Sequence, residues 1–299
     1  MKMKFLVAGA TGSIGSKFVQ FLHSNGQEVY TLTRNPEKAQ KLFPFAIGNF
    51  HWKDNWDSVL PQTSAILNLS GASIGKRWTK KYKQEIYESR IVTTREIVGK
   101  LNNFTQNSIT FFSTSAIGYY PDSGEEIVDE ETKAGESFLA KVCVEWENEA
   151  YKLKSPHRLV VGRFGVVLKK DDLALQRILL SYRFGFGVVI GTGEQWFSWI
   201  HIEDLLNLLY TSITNEKFEG IYNFVSPNPV KFREFIREIG KILNKPFMLS
   251  VPDYLIKLAF GEQSQVLLAS QRVIPKKLLD IGYQFKYSEI EKALLDIIG

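Results

Sequence analysis

Through the first 165 residues, short apolar runs rich in Val, Ile and Phe alternate with stretches whose apolar residues recur every three or four positions. Such alternation predicts strands joined by helical crossovers, and hence a parallel sheet. Strands are expected at 4–8, 28–33, 45–50, 65–69, 109–113 and 158–163, with helices at 13–25, 35–42, 79–102 and 138–154. Beyond residue 165 the texture changes. Helices are expected at 173–182, 203–214 and 231–243, a strand at 220–225 and a glycine-rich loop at 184–193. Residues 246–299 read as two or three helices broken at Pro252 and Pro275. The fold class is therefore α/β, a doubly wound parallel sheet over 1–165 with a smaller α-rich lobe over 166–299. Its last part, 246–299, reads as a helical domain. No low-complexity linker separates the lobes, so the chain is expected to be shared between them.

Composition narrows the picture only a little. No run of about 18 apolar residues occurs, so neither a membrane span nor a membrane partner is expected. Residues 1–7 run straight into a strand without a basic-then-apolar leader, and the single cysteine, Cys143, excludes an internal disulfide. Both favour the cytoplasm. The net charge is +5, but Lys and Arg are dispersed apart from a cluster at 76–83. That distribution suits one small anionic ligand better than a nucleic acid. No pair of Cys, His, Asp or Glu has metal-ligand spacing. Oligomeric state stays open.

The chemistry starts at Gly9-Ala-Thr11-Gly12-Ser13-Ile14-Gly15, between the first strand and its helix. The first glycine permits a sharp turn, the second lets backbone approach a diphosphate, and the third lets helix and strand pack closely. The helix N-terminus then offers free N–H groups to the phosphates. In its strand–turn–helix setting this is a Rossmann-type dinucleotide loop. At the end of the second strand, where an NAD site wants a carboxylate for the ribose hydroxyls, the chain has Thr33-Arg34. A guanidinium grips a 2′-phosphate, whereas a carboxylate repels it. NADP is therefore expected in preference to NAD.

Further motifs carry a resemblance that covers almost the whole chain. They are Ser70-Gly71-Ala72, Lys76-Arg77-Trp78, the 88–94 segment around Arg90, Ser113-Thr114-Ser115-Ala-Ile-Gly-Tyr119, Trp146-Glu147, the 195–201 segment ending in His201, and the 282–285 segment. With them the chain resembles the extended short-chain dehydrogenase/reductases. It is most similar to an atypical epimerase/dehydratase-like subgroup of unknown substrate, with a C-terminal domain of unknown function. The resemblance implies cofactor contacts from Ser70, Gly71, Ala72, Ser113 and Thr114, and an active-site hydroxyl at Ser115 (or Ser113). It also implies a Tyr and a Lys four apart on the helix after the fifth strand. Here those positions hold Leu139 and Cys143, and none of the twelve tyrosines has a lysine four residues on. Arg90 stands where the class usually has Asn. Phe197 stands where nucleotide-sugar enzymes place an arginine, which argues against a nucleotide-sugar substrate.

Ser115, Tyr119, Arg90 and Cys143 are thus the candidate catalytic groups. Ser115 would polarise a substrate oxygen and Tyr119 (or Tyr120) would supply the proton. Arg90 would either order the active-site loop or hold an anionic group of the substrate, and Cys143 would act as a thiol acid or pack in the core. Trp196, Phe197 and Trp199 read either as packing or as a wall for a flat aromatic substrate. Two functions compete: hydride transfer between NADP(H) and an unidentified small molecule, and non-catalytic NADP(H) binding that reports redox state.

Overall fold

The protein, seen here in a computed structural model, is described over residues 2–299 and divides into two compact units. One runs through Ser115 and also takes in Val142–Gly162 and Leu208–Ile221. The other comprises Ala116–Lys141, Arg163–Asn207 and Tyr222–Gly299.

The sheet has seven strands: β1 (Lys4–Ala8), β2 (Glu28–Thr33), β3 (Gly48–His51), β4 (Ala65–Asn68), β5 (Thr110–Ala116), β6 (Arg158–Phe164) and β7 (Gly220–Phe224). Their order is β3-β2-β1-β4-β5-β6-β7 and the sheet is parallel. The winding reverses between β1 and β4, where ligands of open α/β sheets bind. Helices α1 (Gly15–Ser24), α2 (Pro36–Leu42), α3 (Lys80–Asn102) and α4 (Phe138–Ala150) make the crossovers. Phe5 to Ala8 are all fully buried. A central parallel strand is covered on both faces, so it reads as an unbroken apolar run. Leu6, Leu32, Trp56, Ile66, Phe111 and Val161 belong to the core of this unit. Trp56 can be wholly buried there because its indole N–H donates to Glu96 at 3.1 Å.

The second unit has its own core, with Leu168, Trp199, Phe235, Ile236, Tyr287 and Leu294. Its helical segments include α5 (Leu173–Arg183), part of α6 (Ile202–Thr214), α7 (Phe232–Ile242), α8 (Asp253–Phe260), α9 (Ser264–Leu268), α10 (Lys276–Asp280) and α11 (Ile290–Ile298). The Asp204 carboxylate accepts the backbone N–H groups of Lys286 and Tyr287 at 2.8 and 2.9 Å. The His201 ring lies 3.8 Å from that of Tyr287. These contacts pin the Lys286–Tyr287 stretch of the tail to the start of α6.

Several expectations need correction. The tail forms four helices, and strands at Met248–Val251 and Arg272–Val273 accompany them. Pro252 and Pro275 stand at the N-caps of α8 and α10, where a missing N–H costs nothing, so they start helices rather than interrupt them. The expected loop at 184–193 contains a strand, Gly187–Ile190, paired in parallel with Met248–Val251. Helix α4 stops at Ala150 rather than at 154, and β5 continues to Ala116, which carries Thr114 and Ser115 inside the strand. Among the described residues, no helix is long and apolar enough to cross a membrane, and no group of three or more His, Cys, Asp or Glu could hold a metal ion.

Candidate functional site

The loop between β1 and α1 is shaped by contacts that only glycine permits. Gly9 has φ +75°, and a Cβ on it would lie 2.7 Å from the Leu69 carbonyl and 2.8 Å from the Ser70 nitrogen. A Cβ on Gly15 would lie 2.3 Å from the Gly9 oxygen. The loop therefore presses against the end of β4. Gly12 donates to the Gly9 oxygen and accepts from Ser16, while the amides of Ser13 and Ile14 have no acceptor among the described residues. Helix α1 has neither a side-chain cap nor an acid in its first turn, so its N-terminal dipole is uncompensated. Thr11 Oγ1 and Thr33 Oγ1 lie 3.1 Å apart, and Thr33 also accepts from the Asn35 amide. Arg34, on this tied corner, is exposed.

Three orphaned hydroxyls mark the carboxyl ends of β4 and β5. Ser70 Oγ, Ser113 Oγ and Thr114 Oγ1 are buried without a hydrogen-bond partner. A native protein seldom leaves such groups unpaired unless a ligand or an ordered water completes them. A diphosphate cradle that a Cβ would fill, open amides and ready hydroxyls together fit a dinucleotide.

Helix α3 braces this floor. Thr94 Oγ1 accepts from Asn68 Nδ2 and from Trp146 Nε1, each at 2.8 Å, and Ser89 Oγ accepts from the Ala72 amide. Arg90 donates through Nη1 to the Ile86 carbonyl and through Nη2 to the Ala72 carbonyl, while the Trp146 ring lies 5.4 Å from its Cζ. Its guanidinium would touch a Cβ at Gly71. Burial lowers its pKa, and the negative forms of Cys143 and Tyr82 oppose that. Of the two roles expected for Arg90, this geometry favours ordering the loop.

Ser115 lies in the strand and donates to Glu147 Oε1 at 2.6 Å; both residues are buried. Glu147 was visible in the sequence only as a motif letter. Cys143 is also buried, one turn earlier on α4, with Leu139 a further turn back. Across from Leu139, a Cβ on Gly118 would lie 3.5 Å from its Cβ, so the position without a tyrosine packs under the turn that carries Tyr119.

Tyr119 and Tyr120 separate cleanly. The Arg163 guanidinium lies 3.4 Å from the Tyr119 ring centroid and donates to the Tyr120 hydroxyl at 2.8 Å. The Tyr120 hydroxyl donates to Asn223 Oδ1 at 2.7 Å, and burial pushes it far above the usual phenol range. Tyr120 is locked, whereas Tyr119 is partly exposed. The aromatic run divides too. Trp199 is fully buried and Phe197 stacks on Phe235 at 4.5 Å, so both are core, while Trp196 is only half-buried.

Comparison with known proteins agrees with this geometry. Residues 5–224 match the NAD dependent epimerase/dehydratase family, and residues 251–297 match a domain of unknown function, DUF1731. The chain is 37% identical over 302 residues to the chloroplastic epimerase family protein SDR39U1 homolog of Arabidopsis thaliana, covering 99% of this chain and 87% of that protein. It is 36% identical to the epimerase family protein SH2119 of Staphylococcus haemolyticus, over 99% of both chains. The solved human epimerase family protein SDR39U1 (isoform 2) with NADPH superposes with a TM-score of 0.88 at 30% identity, over 99% of each chain.

Proposed function

Because the chain belongs to the NAD dependent epimerase/dehydratase family, we propose that it binds NADP(H) and transfers hydride to or from an unidentified small molecule. The observation that carries this reading is the set of three orphaned hydroxyls beside the glycine cradle. The human relative with NADPH supports the choice of cofactor. Gly9, Thr11, Gly12, Ser13, Ile14 and Gly15 would hold the diphosphate, and Arg34 the 2′-phosphate. Ser70, Gly71, Ala72, Ser113 and Thr114 would line the rest. When bound, the nicotinamide supplies the hydride acceptor or donor.

The chain's own part is to manage the proton. Ser115 spends its O–H on Glu147, which leaves its lone pairs to accept from a substrate hydroxyl. As an alcohol loses hydride, its proton passes to Ser115 Oγ and the Ser115 proton passes to Glu147. In the opposite direction the acid of Glu147 returns it. This relay takes the place of the missing Tyr–Lys pair, and Tyr119 is the other candidate proton donor. Arg90 keeps the Gly71–Ala72 loop in place, and Cys143 is buried on α4 one turn before Glu147. A single buried thiol suits a reducing compartment, and we place the protein in the cytoplasm.

Equilibrium titration tests the cofactor. Arg34→Asp should weaken NADPH by about 2 kcal/mol, roughly thirtyfold, and leave NADH nearly unchanged. No affinity for either nucleotide would end this reading. Turnover is sought by following NADPH oxidation with a panel of carbonyl compounds, and it should vanish in Ser115→Ala and Glu147→Gln. Leu139 at the tyrosine position favours a second reading, a non-catalytic NADP(H)-binding redox sensor. Tight NADPH binding without turnover on any carbonyl would select it.

A further inference from the structure

In the second unit, a short strand from the tail, Arg272–Val273, pairs in parallel with Ile127–Val128. Its surroundings hold it firmly. Gln271 Nε2 donates to the Tyr120 carbonyl at 2.7 Å, and the Ser123 amide donates to the Ser270 carbonyl at 2.9 Å. Ser198 Oγ accepts from the Val273 amide at 2.9 Å and donates to the Gln271 carbonyl at 2.7 Å. The backbone that carries Arg272 is thus anchored on both sides, next to the turn that holds Tyr119.

The side chains above this anchor are unbalanced in charge. The Trp196 ring has Arg272 Cζ and Lys231 Nζ each 4.3 Å from its centroid. Glu125 answers one of these cations: it pairs with Lys231 and accepts from Trp196 Nε1 at 3.0 Å. Those hydrogen bonds and the nearby Arg272 charge hold its carboxyl below the usual range. The Arg272 guanidinium feels the Glu125 carboxylate through space but makes no hydrogen bond and no ion-pair contact among the described residues. Its five N–H donors stay available, in a fork that matches a carboxylate or a phosphate. Arg90, by contrast, already gives both terminal nitrogens to carbonyls.

We propose that Arg272, backed by Trp196 and assisted by Lys231, forms an anion site in the second unit that binds the carboxylate or phosphate of a small ligand. The subsite gives the C-terminal domain a task, since that domain supplies the guanidinium. It goes beyond the oxidoreductase reading and does not rest on it, because every group named lies within the second unit. A purely structural role for the same cluster, cation–π packing at a surface, would need no ligand.

The test uses the full chain, with and without NADPH, and follows the Trp196 indole N–H signal by NMR, assigned through Trp196→Phe. Inorganic phosphate and benzoate are titrated, with benzyl alcohol as the neutral control. At least one anion should shift the signal saturably while the alcohol does not, and the stronger of the two identifies the phosphoryl or the carboxylate class. Arg272→Gln should weaken that anion about tenfold or more and Lys231→Gln by less, with NADPH affinity unchanged within about twofold. A flat response to both anions, equal binding of the alcohol, or an Arg272→Gln protein that binds as the parent does would overturn the subsite. Anion binding without any NADPH binding would instead sink the cofactor reading and leave the subsite standing.

Discussion

Two polar regions of this molecule are built on opposite principles. In the network of Tyr120, Arg163, Asn223 and Glu130, protein groups answer one another: Arg163 donates to Tyr120, Tyr120 to Asn223, and the Asn223 amide to Glu130 Oε1. At the carboxyl ends of β4 and β5, Ser70, Ser113 and Thr114 keep equally buried hydroxyls unanswered. The first arrangement holds the fold, and the second costs it stability. Burial alone therefore does not mark a functional group. An unmet hydrogen-bonding capacity, beside a backbone shaped for phosphate, does.

Substitutions should break the two regions in different ways. Arg163→Met removes a buried cation from a closed network and should cost about 3 kcal/mol, a drop in melting temperature on the order of 5–10 °C, whether or not NADPH is present. Calorimetry that finds less than about 1 kcal/mol would remove the distinction drawn above. Ser113→Ala should do the reverse. Deleting an unpaired hydroxyl should leave the free protein as stable or up to about 1 kcal/mol more stable, and should weaken NADPH by about 1 kcal/mol. A free protein that melts earlier would mean that this hydroxyl serves the fold.

The smallest effect concerns His201. Burial lowers its pKa against the opposing pull of Asp296, Glu203 and Asp204, and Lys286 adds to the lowering. The folded protein therefore binds a proton there less readily than the unfolded chain does. This contribution to stability is complete above pH 6.5 and declines as the pH falls below it. His201→Gln should flatten that acid limb by about 1 kcal/mol or less, as read from urea midpoints between about pH 5 and 7. An unchanged limb would place the titration elsewhere.

Legibility in the sequence followed the distance between partners. The strand–glycine loop–helix unit could be read because Gly9, Gly12 and Gly15 meet one another within seven residues, and Thr33-Arg34 because strand length places it beside them. Apolar periodicity located most elements of the sheet, but not the two-residue strands, which carry no period. It also left both roles of Arg90 open, as well as the choice between Tyr119 and Tyr120 and that between packing and pocket for Trp196.

By itself, then, the sequence determined the doubly wound sheet and the phosphate-binding turn, since both rest on backbone conformation and on contacts local in the chain. Only tertiary structure decided that Ser115 spends its proton on Glu147, that Arg90 braces a loop, and that Arg272 arrives beside Trp196 with its donors free. A side chain's chemistry is set by whatever competes for its hydrogen bonds and charge. Those competitors come from helices and strands whose placement no local pattern encodes.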